Sequence, residues 1–200
     1  IMIEKIMRAV KSNNKKRGRN ITIGAIVGML LSCSAVMGAD VVGLEITKDT
    51  SGEIKFSKNG TEFTPENPNN PYPENTWDKE SITYTNNSGI SVNSDSGNAY
   101  SLKLNGDLSG VSFINNGSVS ATGSSQGYGI YNKDGSIKTI TNNGSIYSER
   151  YGIYNNSTNH GTTNIKKITN NGRVYSEYYG IYNNSTNQGT ANIEMIINSG

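Results

Sequence analysis

Two glutamates occupy equivalent positions in consecutive copies of a repeat, and their spacing could support acid–base chemistry. Glu149 and Glu177 are 28 residues apart. If the copies stack as successive coils, the two carboxyl groups lie about 5 Å apart, which is the separation found in retaining glycosidases. A row of charged side chains on a solvated face explains the same spacing more simply. We therefore expect neither glutamate to be catalytic.

Other residues that commonly carry chemistry are scarce. His160 is the only histidine, and Gln188 takes its place in the next copy, which is typical of a solvated loop residue. The chain has no phosphate-binding Walker loop, no His-Glu-x-x-His zinc motif and no calcium-binding Gly-Gly-x-Gly-x-Asp repeat. We predict that the protein is not an enzyme and that it has no cofactor and no metal ion.

Tyrosine is the one abundant residue type that could recognise a ligand. The chain has 12 tyrosines, most of them in the repeats. Tyr131, Tyr154 and Tyr182 recur one position after an inward apolar residue, which predicts an exposed aromatic stripe. The stripe is a possible binding platform for a glycan or a protein. Aromatic stacking between coils, which only stabilises the sheet, is the favoured interpretation.

The motif Asn-Asn-Gly, or a near copy of it, positions all of these residues. Its first Asn falls at Asn86, Asn115, Asn142, Asn170 and Asn198, at intervals of 29, 27, 28 and 28 residues. A fixed period of this size marks a solenoid of stacked structural units. The residues that we predict to form stacked amide ladders and turns are Asn115, Asn116, Gly117, Asn142, Asn143, Gly144, Asn170, Asn171 and Gly172. At each corner the glycine is expected to adopt a positive φ.

Apolar residues keep fixed positions relative to this motif. The columns read from the sequence are Tyr84, Phe113, Ile140, Ile168 and Ile196; Ile90, Val119, Ile146 and Val174; Leu102, Ile130, Ile153 and Ile181; and Ile137, Ile165 and Ile193. The short apolar segments alternate with period two, and no copy offers helical spacing. This pattern predicts an all-β fold, a right-handed parallel β-helix with rungs of about 28 residues. The extra residues 121–127 should bulge from their coil.

The N-terminal segment has the organisation of a secretory signal peptide. Residues 2–20 contain seven basic residues and one acid, and residues 21–31 are apolar. We expect the signal to cover residues 1–39 as a helix, with cleavage after Gly38 or Ala39. A retained membrane anchor is a less favoured alternative. Without residues 1–39, 11 basic and 15 acidic residues remain, a net charge of −4, so the chain gives no sign of nucleic-acid binding.

Cys33 is the only cysteine, and it lies within this segment. The rest of the chain therefore has no disulfide and no thiol nucleophile. Leu30-Leu31-Ser32-Cys33 looks like a bacterial lipobox, so a lipid anchor on Cys33 is a further alternative. Apolar residues continue to Ala39, however, where a lipoprotein usually has a polar tether.

Residues 40–80 lack the repeat and are predicted to form an N-terminal β cap. All four prolines lie between 65 and 73, which predicts a loop. Asn59-Gly60, between Phe56 and Phe63, is a hairpin signal, and Trp77 should close the end of the core. Residues 81–200 are then the β-helix repeats. Because the last copy stops at Gly200, we expect the chain to be truncated at its C-terminus.

The N-terminal residues 2–40 and the Asn-Asn-Gly…Tyr-Gly-Ile-Tyr-Asn repeats together resemble large autotransporters of fusobacteria and related Gram-negative anaerobes. The resemblance implies export through the Sec translocon, handling by the outer-membrane assembly machinery and anchoring by a C-terminal β-barrel that this sequence lacks. It also implies display at the cell surface as an adhesin-like stalk that contacts a host-surface protein or glycan. The alternatives are a β-helical polysaccharide-active enzyme whose site lies outside this sequence and a lipid-anchored surface repeat protein.

Overall fold

A computed structural model describes residues 38–200, and within that range all of the regular secondary structure is β-strand. The strands are β1 (Val41–Lys48), β2 (Ile54–Lys58), β3 (Thr61–Phe63), β4 (Thr76–Asp78), β5 (Thr83–Asn86), β6 (Gly89–Ser94), β7 (Asn98–Asn115), β8 (Ser118–Gly123), β9 (Gln126–Asn142), β10 (Ser145–Ser148), β11 (Tyr151–Ser157), β12 (Thr162–Asn170), β13 (Arg173–Ser176), β14 (Tyr179–Ser185), β15 (Thr190–Ile193) and β16 (Ile196–Asn198). The predicted signal helix lies outside the described residues, apart from Gly38 and Ala39.

Each coil contributes strand segments to three faces, and within each face successive coils pair in parallel. The first face consists of β1, the first halves of β7 and β9, β11 and β14. The second face consists of β5, the second halves of β7 and β9, β12, and β15 with β16. The third face is the four-stranded sheet of β6, β8, β10 and β13. The predicted parallel β-helix is thus confirmed as a β-solenoid of about four turns.

The inward apolar columns predicted from the sequence are also confirmed. Ile140 lies opposite Phe113 and Ile168, and Ile146 lies opposite Val119 and Val174. Column members up to Ile168 are at most 1% exposed. Burying one isoleucine side chain stabilises a fold by about 1.5–3 kcal/mol relative to leaving it exposed. The columns therefore form one continuous core along the axis.

The first coil begins earlier than the sequence suggested. Strand β1 pairs in parallel with β7, with Leu44 opposite Leu102, so residues 41–48 already belong to the solenoid. The predicted boundary, with a cap at 40–80 and repeats from 81, is therefore wrong. Residues 49–82 are instead an insertion between the first and second faces of the first coil. Within this insertion, β2 pairs antiparallel with β1, and β4 pairs antiparallel with β5.

The insertion places an aromatic cluster against the N-terminal end of the core. The Phe56 ring lies 5.0 Å from that of Trp77 and 5.4 Å from that of Tyr84, between ring centroids. The hairpin predicted at Asn59-Gly60 is confirmed, because the two residues join β2 to β3 with φ of 47° and 76°. The proline-rich stretch contains no strand, and Asn70 holds it by donating to the Pro65 carbonyl at 2.6 Å.

Residues 121–127 do not bulge from their coil as expected. Strand β8 stacks on β6 up to Gly123, and Ser124 donates its N–H to the Ser94 carbonyl at 2.8 Å. The wider corner is thus shared by two coils, and a second small cluster of Val92, Ala99 and Ala121 fills it. The next two coils turn earlier instead, because their third-face strands β10 and β13 have four residues, whereas β6 and β8 have six.

Candidate functional site

Seven tyrosines line the outside of the first face in two adjacent columns, which we call the tyrosine stack. One column is Tyr100, Tyr128, Tyr151 and Tyr179, and the other is Tyr131, Tyr154 and Tyr182. In the second column the ring centroids lie 5.2 and 5.4 Å apart, with interplanar angles of 24° and 23°. The predicted alignment of Tyr131, Tyr154 and Tyr182 is therefore present.

The prediction that this stripe is exposed is wrong for Tyr131, which is only 8% exposed, while Tyr154 and Tyr182 are half-buried. The neighbouring column, which sequence reasoning missed, covers one side: Tyr128 lies 5.4 Å from Tyr131 and 5.7 Å from Tyr154. Its signal was present in the sequence, since Tyr128 and Tyr151 each precede a Gly-Ile-Tyr segment. The two columns shield each other from solvent in the inner coils, whereas Tyr179 in the last coil is 54% exposed.

Ring orientation determines what the stack can offer to a ligand. Stacked rings cover the faces of their neighbours and leave edges and hydroxyl groups at the surface. A sugar that packs on an aromatic ring needs a free face, so this geometry favours the stabilising role of the stack. The hydroxyl groups of Tyr131 and Tyr154 accept hydrogen bonds from Asn156 and Asn184 at 3.2 and 3.4 Å. Burial raises the pKa of Tyr100 to about 12.

Further exposed tyrosines lie on the third face and at its corner. Tyr147 and Tyr175 are stacked with their centroids 5.5 Å apart, and they are 36% and 55% exposed. At the adjoining corner, the Arg150 guanidinium lies 5.2 Å from the ring of Tyr151 and 5.8 Å from that of Tyr178. Tyrosine and arginine are the side chains that most often dominate binding interfaces. This group is the strongest candidate for an outward contact.

The first Asn of each motif forms a buried inner ladder. Asn115 donates from Nδ2 to Oδ1 of Asn142 at 2.7 Å, and Asn142 donates to Asn170 at the same distance. Asn142 is fully buried, and its Nδ2 also donates to the Arg173 carbonyl at 3.1 Å. A buried amide is costly unless it is hydrogen-bonded, so each member depends on its neighbours.

The second Asn of each motif forms an exposed outer ladder that runs in the opposite direction. Asn143 donates from Nδ2 to Oδ1 of Asn116 at 3.0 Å, and Asn171 donates to Asn143 at 3.0 Å. The inner ladder donates toward the C-terminus, whereas the outer ladder donates toward the N-terminus. The predicted amide ladders at Asn115, Asn116, Asn142, Asn143, Asn170 and Asn171 are thus present as two parallel structures.

The corner glycines are required for a different reason from the one predicted. Gly117, Gly144 and Gly172 do not have the positive φ expected of them. A Cβ at Gly144 would instead overlap the backbone carbonyl oxygen of Gly117, and one at Gly172 would overlap that of Gly144. Since the backbones of successive coils approach this closely, only hydrogen fits at the corner.

Side-chain oxygens replace missing backbone acceptors where the coil changes shape. In later coils the N–H of the second Asn donates to the previous coil, as Asn143 does to the Asn115 carbonyl at 2.7 Å. Asn87 has no such coil beneath it and donates to Oδ1 of Asn75 at 3.0 Å. Its side chain donates to the Glu74 carbonyl at 3.1 Å, in the place of a ladder neighbour. Residues 74–75 therefore imitate a corner of the missing coil.

Two carboxylates also accept backbone N–H groups at places along the solenoid where neighbouring coils differ in shape. Glu149 accepts a hydrogen bond from the Gly123 N–H at 2.7 Å, where the wide second coil meets the narrower third. Asp134 accepts from the N–H and the hydroxyl of Thr158 at 2.5 and 2.6 Å, beneath the loop between β11 and β12 that enlarges the fourth coil. The carboxylate of Glu149 is thus engaged in a structural contact, whereas Glu177 is exposed.

The remaining chemical candidates lie apart. His160 is exposed in the loop between β11 and β12, as predicted. Gly123–Gly127 matches the spacing Gly-x-Ser-x-Gly, but it joins two strands rather than a strand to a helix, which is the setting a nucleophile elbow needs. Among residues 38–200 there is no group of three or more metal-binding side chains. That range also has no helix long and apolar enough to cross a membrane.

Comparisons of this chain with protein-family models, with curated proteins and with solved structures found no match.

Proposed function

We propose that this chain is part of a surface-displayed, adhesin-like stalk, the passenger segment of an autotransporter, and that its role is structural and adhesive rather than catalytic. The observation that best supports this proposal is that equivalent residues stack in register from coil to coil. Each added coil lengthens such a rod by about 4.8 Å without changing its core. A fold of this kind suits a protein that must hold a contact surface away from a membrane.

Export is supported by the order of segments at the N-terminus. Seven basic residues within 2–20 precede the apolar residues 21–31, an arrangement that the Sec translocon accepts. The outer-membrane assembly machinery and a barrel beyond Gly200 would then supply the membrane contact. Buried ladders such as Asn115–Asn142 give the exported part cross-links between coils without any disulfide.

The adhesive role is supported by the contrast between inward and outward columns. Inward positions of the third face remain apolar in each coil, as Ile90, Val119 and Ile146 illustrate. The adjacent outward column instead changes along the axis and reads Ser91, Ser120, Tyr147 and Tyr175. Variation that leaves the core intact is what a contact surface requires. A host-surface protein or glycan is the partner class that we propose for Tyr147, Tyr175 and the neighbouring Arg150.

Surface display can be tested with an epitope inserted between Ser124 and Ser125, which are exposed at a turn. Intact cells that make the full-length protein should bind antibody and should lose the epitope when protease is added outside. Labelling only after lysis would contradict display. A Cys33→Ser variant distinguishes the lipid-anchor alternative, because loss of surface retention together with lost fatty-acid incorporation would favour that alternative.

Adhesion is tested by a cell-binding assay, and the enzyme alternative is tested separately by an assay for polysaccharide cleavage. We expect the purified chain to bind host cells and the double variant Tyr147→Ser/Tyr175→Ser to bind them less, with Tyr131→Ser as a control from the covered stack. Equal binding by all three proteins would contradict the assignment of the contact surface. New reducing ends released from a polysaccharide by the full-length protein would instead favour the enzyme alternative.

A further inference from the structure

Five Asn–Gly pairs lie in the described part of the chain, and Asn–Gly is the dipeptide most prone to spontaneous deamidation. In that reaction the glycine nitrogen attacks the asparagine side-chain carbonyl, and a side chain on the following residue would hinder it. The pairs are Asn59-Gly60, Asn105-Gly106, Asn116-Gly117, Asn143-Gly144 and Asn171-Gly172. All five asparagines are exposed, so access to water does not distinguish them. Their hydrogen bonds do.

The three corner pairs are held at both reacting groups. Asn143 has its Nδ2 bonded to Asn116, and the attacking nitrogen of Gly144 donates to the Asn115 carbonyl at 3.0 Å. Gly117 and Gly172 donate to the first Asn of the preceding coil in the same way, both at 3.1 Å. Ring closure at a corner therefore requires that both hydrogen bonds open.

Asn59 is also fixed, because its Oδ1 accepts from the Val42 N–H at 2.8 Å. Asn105 differs from the other four, since within residues 38–200 its side chain has no hydrogen-bond partner at all. It lies where β7 departs from regular register with β9, and Gly106 follows it with a φ of 87° and with nothing within 4 Å of the position that a Cβ would take. Its register partners on the neighbouring coils, Thr47 and Lys133, carry no side-chain amide, so Asn105 has no ladder like the one that protects the corner pairs.

We propose that Asn105-Gly106 is the site at which this protein deamidates, and that the outer ladder protects Asn116, Asn143 and Asn171. The Gly106 nitrogen forms a bond to Cγ of Asn105 while the Cγ–Nδ2 bond breaks and ammonia leaves. Water then opens the succinimide at either carbonyl. Opening at Cγ gives aspartate, and opening at the backbone carbonyl gives isoaspartate, whose main chain is one methylene longer.

Deamidation at Asn105 would change the charge and the backbone length of the coil that contains β7. A carboxylate at 105 adds negative charge beside Asp107, whose partner Lys48 lies 3.9 Å away. Isoaspartate would lengthen the backbone between Leu104 and Leu108, which are 0% and 1% exposed. Because the two leucines cannot then both keep their places in the core, we expect the isoaspartate form to open locally at this coil.

The test is peptide mapping by mass spectrometry after the full chain has been incubated in ¹⁸O-water at mildly alkaline pH. We expect ¹⁸O to enter at Asn105 at least about tenfold faster than at Asn116, Asn143 or Asn171, because each corner must first break two hydrogen bonds. In denaturant the five pairs should react at similar rates, which shows that the folded structure sets the order. Equal or faster reaction at the corners of the folded chain would overturn the proposal.

A variant of the outer ladder tests whether its hydrogen bonds, rather than the local Asn-Gly sequence, set the rate of deamidation at the corners. Asn116→Ala removes the acceptor of Asn143 but leaves Asn143 as the partner of Asn171. We expect deamidation to accelerate at Asn143 and to stay slow at Asn171 in the same molecule. No change at Asn143 would show that the outer ladder does not protect it. Asn105→Gln should abolish the fastest site and leave the others unchanged.

Discussion

The repeating coils and the N-terminal end of the solenoid satisfy the same backbone groups in different ways. In the coils, each strand and each ladder asparagine bonds to its own equivalent one coil away, as Asn142 does to Asn170. At the end, unlike residues substitute for a coil that does not exist, and Asn75 provides the oxygen that the N–H of Asn87 needs. A periodic fold can thus repeat simple contacts along its axis but needs a special segment where the repetition begins.

The largest effect is expected from crowding a corner of the coils. Gly144→Asn should destabilise the protein by about 3 kcal/mol, because its Cβ overlaps the Gly117 carbonyl and the coils must separate. Gly106→Asn is the matched control. Asparagine tolerates the positive φ of Gly106, and nothing lies near the new Cβ, so this change should cost less than about 1 kcal/mol. Urea unfolding midpoints would measure both, and equal losses would contradict the close-approach explanation.

The next largest effect is expected from substitutions in the inner ladder, which should destabilise the protein more than the same substitutions in the outer ladder. Asn142→Ala removes one hydrogen bond each from Asn115, Asn170 and the Arg173 carbonyl in a buried site and should cost about 2 kcal/mol. Asn143→Ala removes the equivalent links from the exposed ladder, where water replaces them, and should cost under about 0.5 kcal/mol. Comparable losses in urea unfolding would mean that burial does not distinguish the ladders.

At the N-terminal end, Asn75→Ala tests whether the imitation corner is needed. The substitution removes the acceptor of the Asn87 N–H and the donor to the Tyr84 hydroxyl, and it should cost about 1–2 kcal/mol. Hydrogen exchange would localise the change, because the Asn87 amide should lose protection while the Asn143 amide retains it. Unaltered protection at Asn87 would show that Asn75 is not its functional acceptor.

Raising the pH above about 10 should gradually lower the stability of the N-terminal end. Burial raises the pKa of Tyr84 to about 12, from an ordinary value of about 10 in the unfolded chain. The folded state therefore holds this proton longer, so stability is complete below about pH 10 and declines as pH rises toward about 12. Tyr84 alone contributes a slope of about 1.4 kcal/mol per pH unit in that window. Tyr84→Phe should reduce the measured slope by that amount, whereas an unchanged slope would assign the titration to other tyrosines.

The sequence predicted the coils well because their determinants are periodic. Ile140 and Ile168 occupy the same position in copies 28 residues apart, and that regularity alone specifies which side chains stack. It could not show the steric reason for Gly144, because a positive φ and a close backbone approach both select glycine. The covering of Tyr131 by Tyr128 also depends on how the chain bends between them, which periodicity does not describe.

The first coil was missed because it carries no Asn-Asn-Gly marker before the insertion. Its signal was weaker: Leu44-Glu45-Ile46 matches Leu102-Lys103-Leu104, with opposite charges at the middle positions. In the structure Lys103 Nζ lies 3.0 Å from Glu45 Oε1 on neighbouring coils. The insertion of residues 49–82 separates this strand from the rest of its coil, so no fixed period could connect them. The aromatic contacts of Phe56 are equally non-periodic.

In-register stacking of the coils is the central claim, and spin labels on neighbouring coils test it most directly. In a Cys33→Ser background, Tyr147→Cys/Tyr175→Cys would place labels on register partners, and Ser91→Cys/Tyr175→Cys would place them three strands apart on the same face. Stacked parallel strands predict separations of about 5 Å and about 14 Å between the labelled backbone positions. The first pair should therefore show strong dipolar broadening and the second much weaker broadening. No broadening in the first pair, or equal broadening in both, would contradict the stacked solenoid.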